Sequence, residues 1–510
     1  MPDLSRSILV ITPEAAPFAK TGGLADVAGA LPVALGRLGH RATVVLPRYR
    51  GVASGERIGE ALIPLGPDRL TASFSARSVS DHVRVVLVGC PELYDREELY
   101  GAGGEDYGDN ARRFAFLSRA ALELVVLTGE RPDVVHAHDW QAGLTPVYAK
   151  ALRARHPVLA SLPVVFTIHN LAYQGLFSRD WVPALDLPAE GFSPDGYEYW
   201  GSLSFLKAGV TQSDLVTTVS PNYAREIQTP EFGFGFDGIL AQRADRLVGI
   251  LNGIDVERWN PAADPFLPAP YSASELKGKQ SAKRALLEHL GLPAAPEALS
   301  RPVVGMVSRM VDQKGFDLLA ASSNALLNLR VTIALLGSGE ARYEQEWSGL
   351  SAAHPDRIGV RIGFDDRLAH LIIAGADIFI MPSRFEPCGL SQLYCLRYGT
   401  VPVVRRTGGL ADTVENWNAR ARKGTGFTFT GYTPQAFLAA LGRALVAFAD
   451  PDGWRVLQES GMSQDHSWEM SARQYVRVYE RAIRLAAGEP DDLPRGAAEG
   501  PETKGPESES

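Results

Sequence analysis

Residues 7–12 read Ser-Ile-Leu-Val-Ile-Thr, and residues 21–26 read Thr-Gly-Gly-Leu-Ala-Asp. The first string is a short β-branched run, and the second begins a pattern of apolar residues at helical spacing that continues through Leu38. The same six residues return at Thr407–Asp412, after the β run Val401–Val404 and again before a helical pattern. Both copies therefore predict a strand, a glycine-rich turn and a helix, the repeating unit of a parallel α/β sheet.

The two glycine-rich turns allow two interpretations. In open α/β sheets, ligands bind beyond the carboxyl ends of the strands, where backbone N–H groups at a helix N-terminus can meet a phosphate. Alternatively, each turn simply needs the φ freedom of glycine. One copy in each half of the chain favours a ligand clamped in a cleft between two α/β domains.

Further β-branched runs, separated by helical patterns, extend this reading along the chain. In the first half they are Ala42–Leu46, Arg84–Val88, Asp133–His138, Val164–His169, Leu215–Val219 and Val248–Leu251. In the second half they are Val303–Val307, Thr332–Leu336, Val360–Ile362, Ile378–Met381 and Val401–Val404. Two such sets predict two doubly wound parallel sheets. The proline-rich stretch Asn260–Tyr271 is predicted to connect them.

Composition limits the class of protein. The 510 residues suggest two or three domains, and the net charge of −8 disfavours a nucleic-acid coat or a polybasic membrane surface. Residues 488–510 hold seven acidic and two basic residues, so much of that charge lies in a tail with too few apolar residues to order it. No apolar run approaches the roughly 18 residues of a membrane span. Three cysteines and no apparent signal peptide predict a cytoplasmic protein.

Several familiar motifs are absent or misplaced. Gly233–Gly238 has the spacing of a dinucleotide-binding loop, but it follows Thr-Pro-Glu-Phe rather than a strand, so we interpret it as a false match. The chain has no Gly-x4-Gly-Lys-Ser/Thr loop, no His-Glu-x-x-His and no Gly-x-Ser-x-Gly. His136 and His138 alternate on a strand without partners at metal-ligand spacing, which favours packing or a polar site.

Charged residues follow predicted strands in the second half. Arg309 comes directly after a strand, and Lys314 precedes a glycine at a helix start, a suitable pair for a diphosphate. The alternative is a solvated loop with two surface cations. Glu386 lies in a turn before a helix, where its carboxylate could accept hydrogen bonds from sugar hydroxyls or could cap the helix. Both pairs of alternatives remain open at this level.

The motifs taken together resemble the bacterial glycogen synthase and plant starch synthase family. The matching segments are Lys20–Asp26, His136–Leu144, His169–Gly175, Leu251–Asp255 with Trp259–Pro261, Ser308-Arg309 with Gln313–Gly315, Pro382–Leu390 and Arg405–Thr413. They run in family order from about residue 8 to about residue 470 and leave out only the tail.

This resemblance implies a fold and an activity. The fold would be α/β, with two Rossmann-like doubly wound domains facing a cleft, the GT-B arrangement. Their expected ranges are 1–258 on the acceptor side and 259–467 on the donor side, with a helix at 468–487 crossing back. The acidic tail at 488–510 lies outside the resemblance, and its composition predicts disorder. The activity would be transfer of glucose from ADP-glucose to the nonreducing end of an α-1,4-glucan such as glycogen. The anomeric configuration would be retained, and neither a cofactor nor a metal would be needed.

The resemblance also implies the residues of the site. The catalytic set would be His169, Arg309, Lys314 and Glu386. Donor contacts would come from Lys20, Gly22, Gly23, Asn252, Arg309, Lys314, Glu386, Cys388, Gly389, Leu390, Thr407, Gly408 and Gly409. Candidate acceptor contacts are Asp139, Trp140, Tyr94 and Tyr173, although a tryptophan in this place could equally be a core residue. Glu14 and Asp26 would lie near the cleft.

Three competing functions remain to be weighed. A related transferase could use UDP-glucose or build another α-glucan. Two Rossmann-like halves could belong to a NAD-dependent oxidoreductase, although a well-placed Gly-x-Gly-x-x-Gly is missing. An inactive glucan-binding protein is disfavoured by the intact set of catalytic candidates.

Overall fold

The computed structural model describes residues 5–491, which form two compact units. One unit contains the described residues through Leu251 together with those from Trp468 onward. The other is Asn252–Ser467, so the division falls a few residues before the expected boundary at 258/259.

The first unit is built on a long, mostly parallel sheet. Its strands and those of two small sheets are β1 (Ser7–Ile11), β2 (Arg41–Pro47), β3 (Glu56–Leu65), β4 (Asp68–Ser80), β5 (Val83–Gly89), β6 (Gly101–Ala102), β7 (Glu105–Asp106), β8 (Val134–His138), β9 (Val164–Ile168), β10 (Leu176–Phe177), β11 (Glu198–Tyr199), β12 (Ser202–Ser204), β13 (Leu215–Thr218) and β14 (Leu247–Gly249). The order in the large sheet is β14-β13-β9-β8-β1-β2-β5-β4-β3. Pairing is parallel from β14 to β5, whereas β4 runs antiparallel to both β5 and β3.

The predicted strands of this unit are confirmed to within two residues at each end, but the long β3–β4 hairpin was not predicted. Both of its strands carry many exposed polar residues at the edge of the sheet. They therefore lack the continuous apolar runs of strands buried on both faces.

Helices cover the faces of this sheet. They are α1 (Gly23–Arg37), α2 (Pro91–Tyr94), α3 (Asn110–Thr128), α4 (Thr145–Leu152), α5 (Trp181–Ala184), α6 (Phe205–Gln212), α7 (Pro221–Glu226) and α8 (Asp237–Gln242). Helix α1 begins at the second glycine of the first Thr-Gly-Gly-Leu-Ala-Asp copy and buries Leu24, Val27 and Leu31. A 3₁₀ turn at Trp140–Ala142 precedes α4.

The second unit has a fully parallel sheet in the order β17-β16-β15-β18-β19-β20. Its strands are β15 (Val303–Val307), β16 (Thr332–Gly337), β17 (Ile358–Ile362), β18 (Ile378–Met381), β19 (Val401–Arg405) and β20 (Phe427–Phe429). Its helices are α9 (Lys277–His289), α10 (Pro296–Leu299), α11 (Phe316–Asn328), α12 (Ala341–Ala353), α13 (Asp366–Gly375), α14 (Ser391–Arg397), α15 (Gly408–Thr413), α16 (Pro434–Phe448) and α17 (Pro451–Met462). Alternate residues of β15 enter two separate apolar cores, Val304 on one face and Val303 on the other, as a doubly wound sheet requires.

The proline-rich stretch 260–271 is a packed part of the second unit rather than a connection, so that prediction is wrong. Tyr271 is buried and its hydroxyl donates to the carbonyl of Tyr398 at 2.9 Å. The buried carboxylate of Asp264 accepts from the Tyr398 hydroxyl and pairs with Nδ1 of His370. These long-range contacts give the stretch a fixed place that its proline content does not reveal.

The last helix, α18 (Trp468–Ala486), packs against α1 in the first unit. Arg6 binds the carboxylate of Glu480 through two N–H groups at 2.8 and 2.9 Å. The predicted acidic tail lies outside the described residues from position 492 onward. A search of the helices within 5–491 finds none long and apolar enough to cross a membrane.

Candidate active site

A cavity of about 180 Å³ opens at the carboxyl ends of β15 and β18 in the second unit. Its lining residues are Met306, Val307, Ser308, Arg309, Lys314, Ile380, Met381, Ser383, Glu386, Gly389, Leu390 and Ser391. Five of them, Arg309, Lys314, Glu386, Gly389 and Leu390, are predicted donor-site residues. The carboxyl edge of a parallel sheet is the usual place for a ligand in this fold class.

The two cations reach the cavity from one loop. Arg309 follows the end of β15, and Lys314 ends a 3₁₀ turn that leads into α11. The Arg309 guanidinium donates to Gln313 Oε1 at 3.3 Å. Both side chains line the cavity, so this loop sets two positive charges beside a space large enough for a small anionic group.

Glu386 is buried and belongs to the polar wall of the cavity. Its Oε2 atom accepts a hydrogen bond from Lys314 Nζ at 2.5 Å and another from Ser383 Oγ at 3.1 Å. Helix α14 has no side-chain cap, and its N-cap residue is Leu390. The helix-capping alternative for Glu386 therefore does not hold, because its carboxylate is held by Lys314 and Ser383.

Cys388 lies in the loop between Glu386 and Gly389, and Asn252 contacts it. Burial raises the pKa of the Cys388 thiol to about 12, and the backbone N–H of Asn252 donates to its sulfur. A thiol in this setting stays protonated and packs as an apolar group. The side-chain Oδ1 of Asn252 is buried and has no hydrogen-bond partner among the residues that the structure describes, which makes it an available acceptor.

The second Thr-Gly-Gly-Leu-Ala-Asp copy supports the Glu386 loop from behind. Thr407, Gly408 and Gly409 are buried and do not line the cavity. A Cβ atom on Gly408 would lie 1.8 Å from the carbonyl oxygen of Glu386, and the N–H of Gly409 donates to that carbonyl and to the carbonyl of Pro387. These contacts show that the turn supports the loop that carries Glu386, and the donor contact of the three residues stays a prediction.

The first copy is exposed and has different partners. The Glu14 carboxylate accepts from the backbone N–H of Thr21 at 2.5 Å, from the Thr21 hydroxyl at 2.6 Å and from the N–H of Gly22 at 3.4 Å. Tyr100 donates its hydroxyl to the same carboxylate. Lys20 forms an ion pair with Asp26 at 2.7 Å, while Gly22 and Gly23 have open space around them.

His169 follows β9 at the end of a buried histidine array in the first unit. Its Nε2 atom lies 2.9 Å from Nδ1 of His138, and His136 contacts Thr167 Oγ1 at 2.6 Å and the Tyr479 hydroxyl at 2.9 Å. Burial lowers the pKa values of His136 and His169 to about 3, and that of His138 also lies well below its usual value. All three rings are therefore neutral near pH 7.

Asp139 fixes the backbone beside this array. Its Oδ1 atom accepts from the N–H of His169 at 2.7 Å, and its φ of 55° is unusual for a residue other than glycine. Burial raises the pKa of the Asp139 carboxyl to about 7, against the opposing effect of backbone hydrogen bonds. The arrangement holds His169 in place, a function that the sequence did not suggest for Asp139.

The aromatic acceptor candidates divide into core and surface residues. Trp140 is nearly buried, and its ring packs edge-on against Phe114 at 5.1 Å. Of the two interpretations offered for this tryptophan, the structure favours a core residue over a sugar contact. Tyr94 is fully buried and donates its hydroxyl to the Arg113 carbonyl at 2.8 Å, so its ring offers no face to a sugar. Tyr173 is about half exposed and stays a candidate contact.

Two features of these sites were not predicted, namely the contact of Ser383 with Glu386 and the pairing of His138 with His169. Ser383 follows β18 by two positions, and its place after a strand end could have drawn attention. His138 was noted only as a packing or polar residue, because its partner His169 is 31 positions away. Within the described part of the chain, no cluster of three or more His, Cys, Asp or Glu side chains is arranged to hold a metal ion.

Both halves of the chain match models of glycosyltransferase domains. Residues 7–242 match the starch synthase catalytic domain, and residues 301–446 match the glycosyl transferases group 1 domain. Together with the two parallel α/β units, this places the chain among glycosyltransferases of the GT-B fold.

Similarity to named proteins extends over nearly the whole chain. A glycogen synthase of Anaeromyxobacter dehalogenans (strain 2CP-1) is 52% identical over 92% of this chain and 98% of the relative, and one of Syntrophotalea carbinolica is 46% identical over 94% and 99%. The catalytic domain of starch synthase IV from Arabidopsis thaliana, bound to ADP and acarbose, superimposes with a TM-score of 0.86 at 35% identity, covering 94% of this chain and all of that one. The chain belongs to the glycogen synthase and starch synthase family, which confirms the predicted family and excludes the oxidoreductase alternative.

Proposed function

We propose that this glycosyltransferase transfers glucose from ADP-glucose to the nonreducing end of an α-1,4-glucan and retains the anomeric configuration. The observation that carries the proposal is the cavity in the second unit, where Arg309, Lys314 and Glu386 meet. The related starch synthase was solved with ADP and acarbose, which supports an adenosine-diphosphate sugar as donor and a glucan as acceptor.

Arg309 and Lys314 would bind the diphosphate of the donor. Charge grows on the leaving diphosphate as the glycosidic bond breaks, and fixed cations in a partly buried site stabilise that charge. The Arg309 guanidinium suits two phosphate oxygens, while the Lys314 ammonium acts as a point charge. Glu386 holds Lys314 at 2.5 Å and would also accept from hydroxyls of the donor glucose, and the side-chain Oδ1 of Asn252 would accept from the donor as well.

Retention would proceed without a covalent glycosyl-enzyme intermediate. A retaining glycosidase needs two carboxyl groups about 5 Å apart, one of them a nucleophile. Among the described residues that line the cavity, Glu386 is the single acidic one, and Lys314 and Ser383 already bind it. We therefore propose a front-face reaction, in which the departing phosphate takes the proton of the acceptor hydroxyl.

His169 would contact the reacting sugar, and His138 would set its tautomer. The 2.9 Å contact between the two neutral rings needs one N–H donor and one acceptor. Since His138 Nε2 is buried without a partner among the described residues, a proton there would be a costly unpaired donor. The His138 proton is thus assigned to Nδ1, which donates to His169 Nε2 and leaves His169 Nδ1–H to donate to a substrate hydroxyl.

The His138 assignment can be tested by comparing His138→Asn with His138→Leu. The Asn side chain can place an N–H near the position of Nδ1, so the Asn variant should keep more of the turnover than the Leu variant. Imidazole ¹⁵N shifts of His169 should report Nδ1–H in the wild type and a mixture of tautomers in the Leu variant. Equal turnover of both variants with unchanged shifts would contradict the assignment.

The remaining parts of the proposal concern donor contacts, metal and location. Lys20 and the Gly22-Gly23 turn would contribute to donor binding, and no metal would be required. All three cysteines, Cys90, Cys388 and Cys395, are free buried thiols, which supports the cytoplasm as the site of action.

The direct experiment supplies labelled ADP-glucose or UDP-glucose with a glycogen primer and measures nucleotide release and label in the polymer. We expect incorporation from ADP-glucose, undiminished by EDTA, and at least a tenfold lower rate with UDP-glucose. Preference for UDP-glucose would overturn the donor assignment alone, and failure of both donors would overturn the proposed activity. Hydrolysis of the product by an α-1,4-specific glucosidase checks the linkage.

A further inference from the structure

Two loops of the second unit meet beside the cavity. We call residues 309–315 the cation loop and residues 382–390 the carboxylate loop. A Cβ atom on Gly315, whose φ is 84°, would lie 2.3 Å from the carbonyl oxygen of Pro382. The two backbones are therefore in close contact at the residue that follows Lys314, and main-chain atoms set the distance between the loops at this point.

Arg384 of the carboxylate loop joins the two loops through both its backbone and its side chain. Its N–H donates to the carbonyl of Gln313 at 2.9 Å, and its guanidinium donates to Oδ2 of Asp317 at 2.5 Å. Its own carbonyl accepts a hydrogen bond from the Arg405 guanidinium. Arg384 thus binds one residue before and one residue after Lys314 along the chain.

Tyr432 fixes the orientation of the Arg384 guanidinium. The Arg384 Cζ atom lies 4.6 Å from the centroid of the Tyr432 ring, and the Tyr432 hydroxyl donates to Oδ1 of Asp317. The guanidinium therefore packs on a ring and donates to a carboxylate at the same time. A planar guanidinium can do both, whereas a lysine ammonium offers neither the plane nor the fork.

Folding stability alone does not explain this arrangement. The Arg384 side chain is 51% exposed and that of Asp317 is 29% exposed, and ion pairs with such exposure contribute little to folding. Among the described residues that line the cavity, Arg384 is absent, so the structure gives it no direct contact there. What the pair does contact is the chain on both sides of Lys314.

We propose that the Asp317–Arg384 pair positions Lys314 for the donor diphosphate. The proposal rests on the proposed function for the nature of the ligand. The lysine ammonium lies at the end of a flexible four-carbon chain, so its place depends on the backbone that carries it and on its partner Glu386. The pair holds residues that flank Lys314 against a residue two positions before Glu386, and so fixes both ends of their contact. An error of about 1 Å in the place of such a group lowers catalysis strongly.

A simple effect of charge is the alternative explanation, in which Arg384 only adds to the positive potential near the cavity. The two explanations differ for Asp317. If charge alone matters, the Asp317 carboxylate opposes the binding of an anion, and its removal should strengthen that binding. If the pair positions Lys314, removal of the same carboxylate should weaken it.

The decisive variant is therefore Asp317→Ala, with affinity for ADP measured by calorimetric titration. We expect ADP to bind about fivefold more weakly or worse to Asp317→Ala, and likewise to Arg384→Ala. Arg384→Lys should resemble Arg384→Ala, because it keeps the charge but loses the planar fork. In turnover assays, the three variants should lower kcat with ADP-glucose and leave KM for glycogen within about twofold of the wild type.

The double variant Asp317→Ala/Arg384→Ala tests whether the two residues act as one unit. Either single substitution already breaks their contact, so the double variant should bind ADP within about twofold of the weaker single variant. Independent contributions of fivefold each would instead multiply to about 25-fold.

The ion pair of Arg455 and Glu459 in α17 is the matched control. Its atoms lie 2.7 Å apart, and its side chains are 59% and 40% exposed in the same unit. Arg455→Ala and Glu459→Ala should leave ADP affinity and kcat within about twofold of the wild type. The urea midpoints of both sets of variants should change by similarly small amounts, which separates positioning from a general loss of structure.

A crystal structure of Arg384→Ala supplies a measurement that needs neither ligand nor activity. Compared with a crystal structure of the wild type, the distance between the Cα atoms of Lys314 and Glu386 should change by about 1 Å or more. If the wild type failed to bind ADP or to transfer glucose, the proposed function would fail, and this comparison would still test the positioning role.

Three results would overturn the proposal. The first is an ADP affinity of Asp317→Ala equal to that of the wild type or higher, which would favour the effect of charge. The second is a double variant whose losses multiply. The third is an unchanged distance between Lys314 and Glu386 in the crystal structure of Arg384→Ala.

Discussion

The two copies of Thr-Gly-Gly-Leu-Ala-Asp have the same sequence and opposite surroundings. In the first copy, Thr21, Gly22 and Gly23 are exposed and helix α1 begins at the second glycine. In the second copy, the threonine and both glycines are buried and helix α15 begins at the first glycine. Identical local preferences thus produce two different turns.

Their hydrogen bonds explain the difference. In the first copy, the Glu14 carboxylate binds the N–H groups of Thr21 and Gly22. In the second, the N–H of Gly409 binds the carbonyls of Glu386 and Pro387. The glycines of the first turn therefore face a side-chain acceptor and open space, whereas those of the second allow two backbone segments to approach closely.

This difference teaches that the same glycine-rich turn can meet different steric needs, open backbone in one unit and close backbone packing in the other. The second copy acts on the cavity indirectly, because it fixes the loop that positions Glu386 against Lys314. The following predictions test that contrast.

The largest effect should come from breaking the ion pair of Lys314 and Glu386, whose loop the second copy supports, and it should appear in the turnover rate. We expect Lys314→Ala to lower kcat by about 10²–10³-fold, because the diphosphate loses a fixed cation. Steady-state rates with ADP-glucose and glycogen measure this. Lys277→Ala is the control, since the Lys277 side chain is 89% exposed in the same unit. Comparable rates for the two variants would contradict the assigned role of Lys314.

Replacing a glycine by alanine should have the next largest effect, and it should destabilise the second copy much more than the first. Gly408→Ala places a Cβ 1.8 Å from a backbone oxygen at a φ of 45°, whereas Gly22→Ala adds one to open, extended backbone. We expect Gly408→Ala to lower the free energy of unfolding of its unit by about 3 kcal/mol or more, and Gly22→Ala by about 1 kcal/mol or less. Urea titrations compare them. Equal losses would show that the two turns have equal steric demands.

Replacing Glu14, the hydrogen-bond acceptor for the first copy, should have a moderate effect on the free energy of unfolding. Glu14→Gln replaces a carboxylate that binds Thr21, Gly22 and Tyr100. An amide cannot accept all of these bonds at once, so the free energy of unfolding should fall by about 1–2 kcal/mol. Hydrogen exchange should increase at Thr21 and Gly22. Unchanged exchange at both N–H groups would contradict this account of the turn.

The smallest effect should come from the surface ion pair beside the first copy. Lys20 and Asp26 are partly exposed and 2.7 Å apart. Asp26→Asn should change the free energy of unfolding by less than about 1 kcal/mol, because water and salt screen such pairs. A urea titration at low and high salt measures the effect. A larger, salt-independent loss would indicate that Asp26 does more than pair with Lys20.

Much of the fold could be predicted because its strands are continuous β-branched runs between helical patterns. Parallel strands buried on both faces show that signal clearly, as in Val303–Val307 and Ile378–Met381, whose bounds match the structure. The edge hairpin β3–β4 lacks the signal, and the Asn260–Tyr271 stretch gains its fixed place from partners far along the chain.

The candidate site could be predicted in part for the same reason. Arg309, Lys314 and Glu386 follow strand ends, which a parallel sheet brings to one edge. The contact between Lys314 and Glu386 joins positions 72 residues apart, and no local pattern shows it. Likewise, nothing near Tyr94 in the sequence indicates that its ring is fully buried.

The sequence by itself determined the fold class, the family and the residue types at the strand ends, because these depend on local periodicity and on motifs in a fixed order. The tertiary structure alone decided which groups meet: Glu386 with Lys314 rather than with a helix end, and Gly408 with the backbone of the loop that carries Glu386. It also placed Trp200 in the open at a strained turn. Such outcomes depend on the position of partners that are distant in the chain. Hydrogen bonds and steric contacts change within tenths of an ångström, so a local sequence pattern cannot determine them.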